Sequence, residues 1–513
     1  MRVTGFAAVG ATVAAALAGF SATAAAQEDA SRLLLESVAE AMGGLDHLEN
    51  VRNFVFTGFG QRVYQDGGGN LSGNVNAPPK WRAVADAQRT FDLENGRAVN
   101  QERQSAMFPF AAPFGHSWNR AATLQTGADM LDHPLPALLE ALDPTTQLGA
   151  VNVEDGLSVV QFTVEDGTPM WMAVDSATRL PAWTRRIVPH VNLGDVAVTS
   201  FFTGYLPYGG VQLPHGLLNR LDWRDQVTLM FQIDSYRVNV PESQLPAFPD
   251  APGGGSAASA AEREASVTDL AEGVWDVRVG NNGGPVIEFN DHLVMFEAGG
   301  SPEDTLVRID AANELVSGKE VTAVIVSHHH FDHTAGLRAA VSRGLAVISH
   351  AGNEGIIREM VERPAVVFPD ALAMSAHDLN FVPVDDHLVH QDDIRRLDIY
   401  HVLGHSHMAN AVFAYLPEER IMMEGDLGDA AWTWHWWAGA LSANIDGYEL
   451  DPVLNVAVHG QPGGLSIEET LANIQAQSET AQQFCADQRE AGIHFFGCPV
   501  QYDASGALPL PGR

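Results

Sequence analysis

Apolar residues along this chain recur in two rhythms, one helical and one of period two. Leu33, Leu34, Val38 and Met42 recur at helical spacing and Gly43-Gly44 ends the run, which predicts one amphipathic helix near the start. Strand signals follow. Phe54-Val55-Phe56, closing at Gly58, predicts one strand, and Val160 to Val164 with Trp171 to Val174 about Glu165-Asp166-Gly167 predict a hairpin. Val227, Leu229, Phe231 and Ile233 alternate with Thr228, Met230, Gln232 and Asp234, the pattern of a half-buried strand. One helix followed by many strands predicts a mostly antiparallel, curved sheet of half-barrel type over residues 27–246.

The pattern breaks over residues 247–266, where Pro-Ala-Phe-Pro-Asp-Ala-Pro gives way to Gly253-Gly254-Gly255-Ser256 and an alanine-serine run. Nothing there can pack a core, so it predicts a linker. Beyond it the rhythm changes. Short apolar strands (Val294-Met295-Phe296, Val324-Ile325-Val326 and Ala346-Val347-Ile348) alternate with helical segments, an α/β pattern over residues 267–513. A late helix opens on Ser466 with Glu469 three residues on, a capping box, and carries Ile467, Leu471 and Ile474 on one face.

Composition narrows the class. The chain has 513 residues, long enough for two cores, and 46% hydrophobic against 18% charged residues mark it as globular. Its formal charge of −35 repels nucleic acid and anionic lipid, which argues against either as a partner and leaves a small molecule as the expected one. Met1-Arg2, the apolar stretch from Phe6 to Phe20 and the small residues Ser21 to Ala26 read as a secretory signal peptide over residues 1–26. The processed chain is therefore expected in the periplasm or secreted, with no stable membrane anchor. Cys485 and Cys498, the two cysteines, form one short-loop disulfide or stay as two free thiols.

The chemistry concentrates in Ser327-His328-His329-His330-Phe331-Asp332-His333-Thr334-Ala335-Gly336. An apolar strand ends there, a turn presents histidines and an aspartate, and a helix starts near Leu337. Residues two apart in an extended turn point the same way, so His328 and His330 can grip one cation while Asp332 and His333 reach a second. Imidazole nitrogen and carboxylate oxygen are donors that zinc accepts.

This run is similar to the His-x-His-x-Asp-His signature of the metallo-β-lactamase superfamily. The resemblance implies an αββα sandwich from about residue 267 to residue 460 and beyond. It implies further ligands in a set order. Gly404-His405-Ser406-His407 precedes an apolar strand and Pro417, and the family's spacing of about ten residues favours His407 over His405, leaving His405 beside the site. Gly425-Asp426 occupies the place of a bridging carboxylate and His459 that of the last ligand. His328, His330 and His407 would then hold one metal, Asp332, His333 and His459 the other, with Asp426 between them and Asp332 also acting catalytically. The family usually has an aspartate where Glu297 stands; the glutamate, one methylene longer, can still take a hydrogen bond behind the ligands, but it receives no assigned role on this reading.

The expected cofactor is Zn2+, two per chain, with iron as the alternative metal. The expected reaction is hydrolysis of an acyl C–N or C–O bond in a lactam, lactone or ester by a hydroxide bridging the metals. The alternatives are a mononuclear iron oxygenase of the same superfamily and a periplasmic protein that binds an apolar ligand. Trp432, Trp434 and His435, with Trp436 and Trp437, form an aromatic run after Asp426 that either walls the substrate pocket or packs into the core.

Overall fold

The computed structural model describes residues 27–63, 75, 81–104, 120–249, 263–280, 282–405, 407–428 and 439–492. The signal-like segment 1–26, residues 250–262 of the linker, the run 429–438 with its tryptophans and His435, and Cys498 lie outside the described residues.

The first helix spans residues 27–42 and ends at Gly43. Its buried face is Leu35, Val38, Ala39 and Met42, whereas Leu33 is 65% exposed and so faces away from the core. The spacing 3, 1, 3 lays those four on one stripe. They pack with the helix Pro134–Leu142 on one face of an open eleven-stranded antiparallel sheet. Residues Asn53–Val63 pair with Val227–Val238 at its centre, so the start and the end of this region meet. The hairpin Leu157–Thr163 with Pro169–Val174 lies toward one edge, and among the described residues the sheet carries no parallel pair.

Two further sheets stack face to face in the second half. The first runs Ser266–Ala271, Val274–Val279, Asn282–Glu288, Leu293–Phe296, Val321–Ile325, Ala346–His350 and Asn380–Val384, antiparallel at first and parallel over its last three pairings. The second has six strands, in which Ile421–Glu424 and Leu454–Ala457 run parallel. Period-two alternation sorts their side chains into layers. Val294 and Phe296 face the second sheet, in a core with Ile399, Val412 and Met423, while Leu293 and Met295 face the helices of the outer layer. Helices cover both outer faces, with Leu441 and Ile474 packed against Phe413 and Met422. This is a four-layer αββα sandwich. The helix Ile467–Glu490 begins with the capping box of Ser466 and Glu469. Cys485 is disulfide-bonded. Among the described residues no helix is long and apolar enough to cross a membrane.

Candidate metal centre

Four loops at one rim of the sandwich converge. The strand Val321–Ile325 ends and residues 326–330 run on without regular structure into the one-turn helix Phe331–Thr334, which carries Asp332 and His333. Asp426 follows the strand Ile421–Glu424, and His459 follows its parallel neighbour Leu454–Ala457. His407 stands just before Val412–Leu416, and the bond from the Val412 amide to the Ser327 carbonyl (2.8 Å) ties its loop to the histidine run.

The donor atoms gather in two groups that share one residue. His328, His330, His407 and Asp426 form the first, and Asp332, His333, Asp426 and His459 the second, each within 4.8 Å. Asp426 turns one oxygen to each group. Its Oδ2 lies 2.9 Å from His407 Nε2 and 3.6 Å from His328 Nε2, and its Oδ1 lies 3.3 Å from His333 Nε2 and 3.6 Å from His459 Nε2. Within the first group His328 Nε2 and His330 Nδ1 are 2.9 Å apart; within the second His459 Nε2 is 3.4 Å from Asp332 Oδ2. Asp332 Oδ1 is buried with no hydrogen-bond partner among the described residues. An unpartnered carboxylate oxygen among lone-pair nitrogens fits a divalent cation, because a buried polar atom otherwise goes unsatisfied at a cost.

The electrostatics suit the same task. Burial, then the neighbouring histidines, hold His328 and His330 well below the usual imidazole range, so both keep free lone pairs at neutral pH. Burial pushes His333 in the same direction, but Asp426, Asp332 and Glu297 override it and hold the ring well above its usual value. Burial likewise opposes the rise at His459, which its hydrogen bond to Asp332 and the charge of Asp426 win. Asp426 stays far below the ordinary carboxylate range despite burial, through His333 and its hydrogen bonds to His333 and His407. In the second group, then, the carboxylates of Asp332 and Asp426 stabilise positive charge placed among them.

Backbone constraints place these side chains. Asp426 has φ 60°, a strained conformation for a residue with a Cβ, of the kind found where geometry serves a site. Gly425 before it leaves no room for a side chain, since a Cβ there would lie 2.3 Å from Ser327 Oγ and 3.3 Å from His333 Cε1.

Several supporting residues carry no signature in the sequence. Glu297 was given no assigned role, though its extra methylene left it able to take a hydrogen bond behind the ligands; its buried carboxylate accepts from the Ser327 amide at 2.7 Å and lies 3.2 Å from His333 Nδ1, orienting that ring. Two buried arginines fix the loops behind the donors. Arg308 donates to the carbonyls of Glu297, Phe296, Gly284 and Val277; burial brings it down to about 10, so it stays charged. Arg278, paired with Asp276, donates to the carbonyls of Ala457, Val458 and Gly460 and so clamps the turn that presents His459. A lone arginine or glutamate has no local pattern, and only the strand periodicity around them was readable.

His405 stands outside both groups. Its Nδ1 accepts from the amides of His407 and Met408, which shapes the loop that delivers His407. Trp432, Trp434 and His435 lie outside the described residues.

A model of the metallo-beta-lactamase superfamily matches residues 286–428, a stretch that includes every gathered donor except His459. Among solved structures, the chain is similar to the stereoselective inverting sec-alkylsulfatase Pisa1 from a Pseudomonas species, at 16% identity over 45% of this chain and 44% of that one (TM-score 0.33). It is also similar to a metallo-beta-lactamase from Pontibacter korlensis, at 18% identity over 42% of this chain and 100% of that one (TM-score 0.32). The metallo-beta-lactamase FIM-1 from Pseudomonas aeruginosa, in its mono-zinc form, shares 16% identity over 42% of this chain and 96% of that one (TM-score 0.33). The chain therefore spans less than half of the alkylsulfatase and almost all of these two lactamases. No curated protein matches it by sequence.

Proposed function

We propose, from the match of residues 286–428 to the metallo-beta-lactamase superfamily, that this chain is a two-metal hydrolase of acyl C–N or C–O bonds in a lactam, lactone or ester. The observation that carries the proposal is Asp426, whose two oxygens face two separate donor groups. His328, His330 and His407 would hold one cation and Asp332, His333 and His459 the other, with zinc the metal this donor set favours. When bound, two such cations supply a hydroxide at neutral pH and polarise the oxygen of the bond under attack.

The chain's own groups do the rest. Asp332 is about a quarter exposed, unlike the fully buried His328 and His333, so its carboxylate is the group placed to take a proton from an attacking water. His328, His330 and His333 have no exposed surface, which shuts bulk water away from the donor side and strengthens every charge interaction there. His459 and Asp426 keep partial exposure, and a substrate would approach from that side. The aromatic run with Trp432, Trp434 and His435 is proposed as a wall for an apolar or ring-bearing substrate.

A panel of lactams, lactones and aryl esters tests the reading. Purified full-length protein should turn over one of these classes, and His330→Ala should lose at least about a thousandfold of that rate while its circular dichroism is unchanged, since the nucleophile goes with the metal. An unchanged rate in that variant would remove the assignment. Export is part of the same proposal, and N-terminal sequencing of the processed protein should begin at Gln27; a chain retaining Met1 in the cell would count against it.

A further inference from the structure

The antiparallel sheet of the first half touches the metal loop itself. Its strands Pro181–His190 and Gly194–Thr203 form a hairpin whose turn is pressed against the sandwich. Asn192, in that turn, is 1% exposed. Its Nδ2 donates to the Phe331 carbonyl at 3.1 Å and to Thr334 Oγ1 at 2.8 Å, across more than a hundred residues of chain. Thr334 Oγ1 in turn donates to the His330 carbonyl at 2.9 Å. One amide therefore grips the helical turn on both sides of Asp332 and His333 and reaches the backbone of His330.

The rest of the turn is built to hold that amide in place. His190 Nδ1 accepts from the backbone N–H of Asn192, and its ring meets Phe331 edge-on at 5.3 Å. Gly194 has φ 65° and approaches so closely that a Cβ would lie 2.7 Å from the Pro364 carbonyl oxygen. Asp195 accepts from the amides of Val366 and Val367 at 2.6 Å each and of Phe368 at 3.1 Å, and its own amide donates to the Pro364 carbonyl. A buried donor that satisfies two acceptors of a metal loop is the pattern of a residue that orients ligands.

We infer that Asn192 is a positioning residue of the metal centre, and that the first domain works as a clamp on the loop carrying Asp332 and His333. The inference rests on the two-metal reading. Because the grip brackets Asp332 and His333, its loss bears on the second cation more than on the first, whose remaining ligands His328 and His407 lie outside it.

The test is chelator competition on the zinc-loaded full-length chain, resolving the two affinities, with thermal melting alongside. Asn192→Ala should weaken the second zinc by about tenfold and leave the first within about twofold, the range seen when an outer hydrogen bond to a ligand loop is removed. Thr334→Val, which keeps the bond to Phe331 but removes the grip on the far side of Asp332 and His333, should show a smaller loss at the same site. Should Asn192→Ala melt too low to load, Thr334→Val alone carries the test. Two unchanged affinities in a wild type that binds two ions would overturn the clamp and leave the two-metal reading standing. Equal loss of both ions would reduce Asn192 to a general structural role and also overturn it. A wild type that binds fewer than two ions would defeat the two-metal reading and the inference with it.

Discussion

Glu297 braces both His333 and the start of the histidine run from behind the donors. It stands where an aspartate is usual, and its longer side chain reaches both the Ser327 amide and His333 Nδ1 from a left-handed backbone position at φ 71°. Glu297→Gln keeps the shape and removes the charge that helps hold His333 in place. It should cost about ten- to a hundredfold in zinc affinity at the second site, read by chelator competition, with little change in melting temperature. The seven gathered donors were legible because four of them, His328, His330, Asp332 and His333, sit in one short run at a strand end, and the order of ligands that the resemblance implies pointed to His407 before an apolar strand and to Asp426 and His459 after one. Arg278 and Arg308 were not, because each acts through contacts with distant backbone that leave no periodic trace, and Glu297 was visible only as a position whose partners the sequence did not name.

At the scale of elements, local signals read true and pairings stayed hidden. The capping box of Ser466 and Glu469 involves residues three apart, so the sequence shows it directly. The first helix was legible as a helix, but its buried face is set by Leu35 and Ala39 as well as Val38 and Met42, and Leu33 points outward. The eleven-strand order depends on long-range pairing, such as Asn53–Val63 with Val227–Val238, which no local window contains. The hairpin holding His190 carries a pH prediction. Burial, helped by Arg363, lowers His190 to about 4, so the folded chain keeps it neutral where the unfolded chain, near 6.5, takes a proton. Above about pH 6.5 the ring is neutral in both states and costs nothing. As pH falls from there toward 4 the unfolded chain gains protons that the folded one refuses, and stability declines until both are charged. The melting temperature of His190→Gln should fall less steeply than that of the wild type over this window; parallel slopes would contradict the assignment.

At the scale of the molecule, the two halves form more than a string of domains. Leu193, Val196, Leu221 and Trp223 of the first half belong to the same apolar cluster as Val324, Phe331 and Met360 of the sandwich. Arg224 and Trp223 both bond Glu359, and Arg363 bonds Asp222 and the carbonyls of Leu193 and Asp195. None of this was readable from the sequence, because partners more than 130 residues apart share no motif. The linker marks where the pattern changes, yet contacts on either side of it bind the halves together around the metal loop. All of it turns on two cations held on either side of Asp426. Elemental analysis of the purified full-length protein measures that most directly. Two equivalents of zinc per chain are expected, falling to about one in His459→Ala, which keeps the first group of donors whole. A single equivalent of iron with no second metal, or wild-type protein and His459→Ala carrying the same metal content, would contradict it.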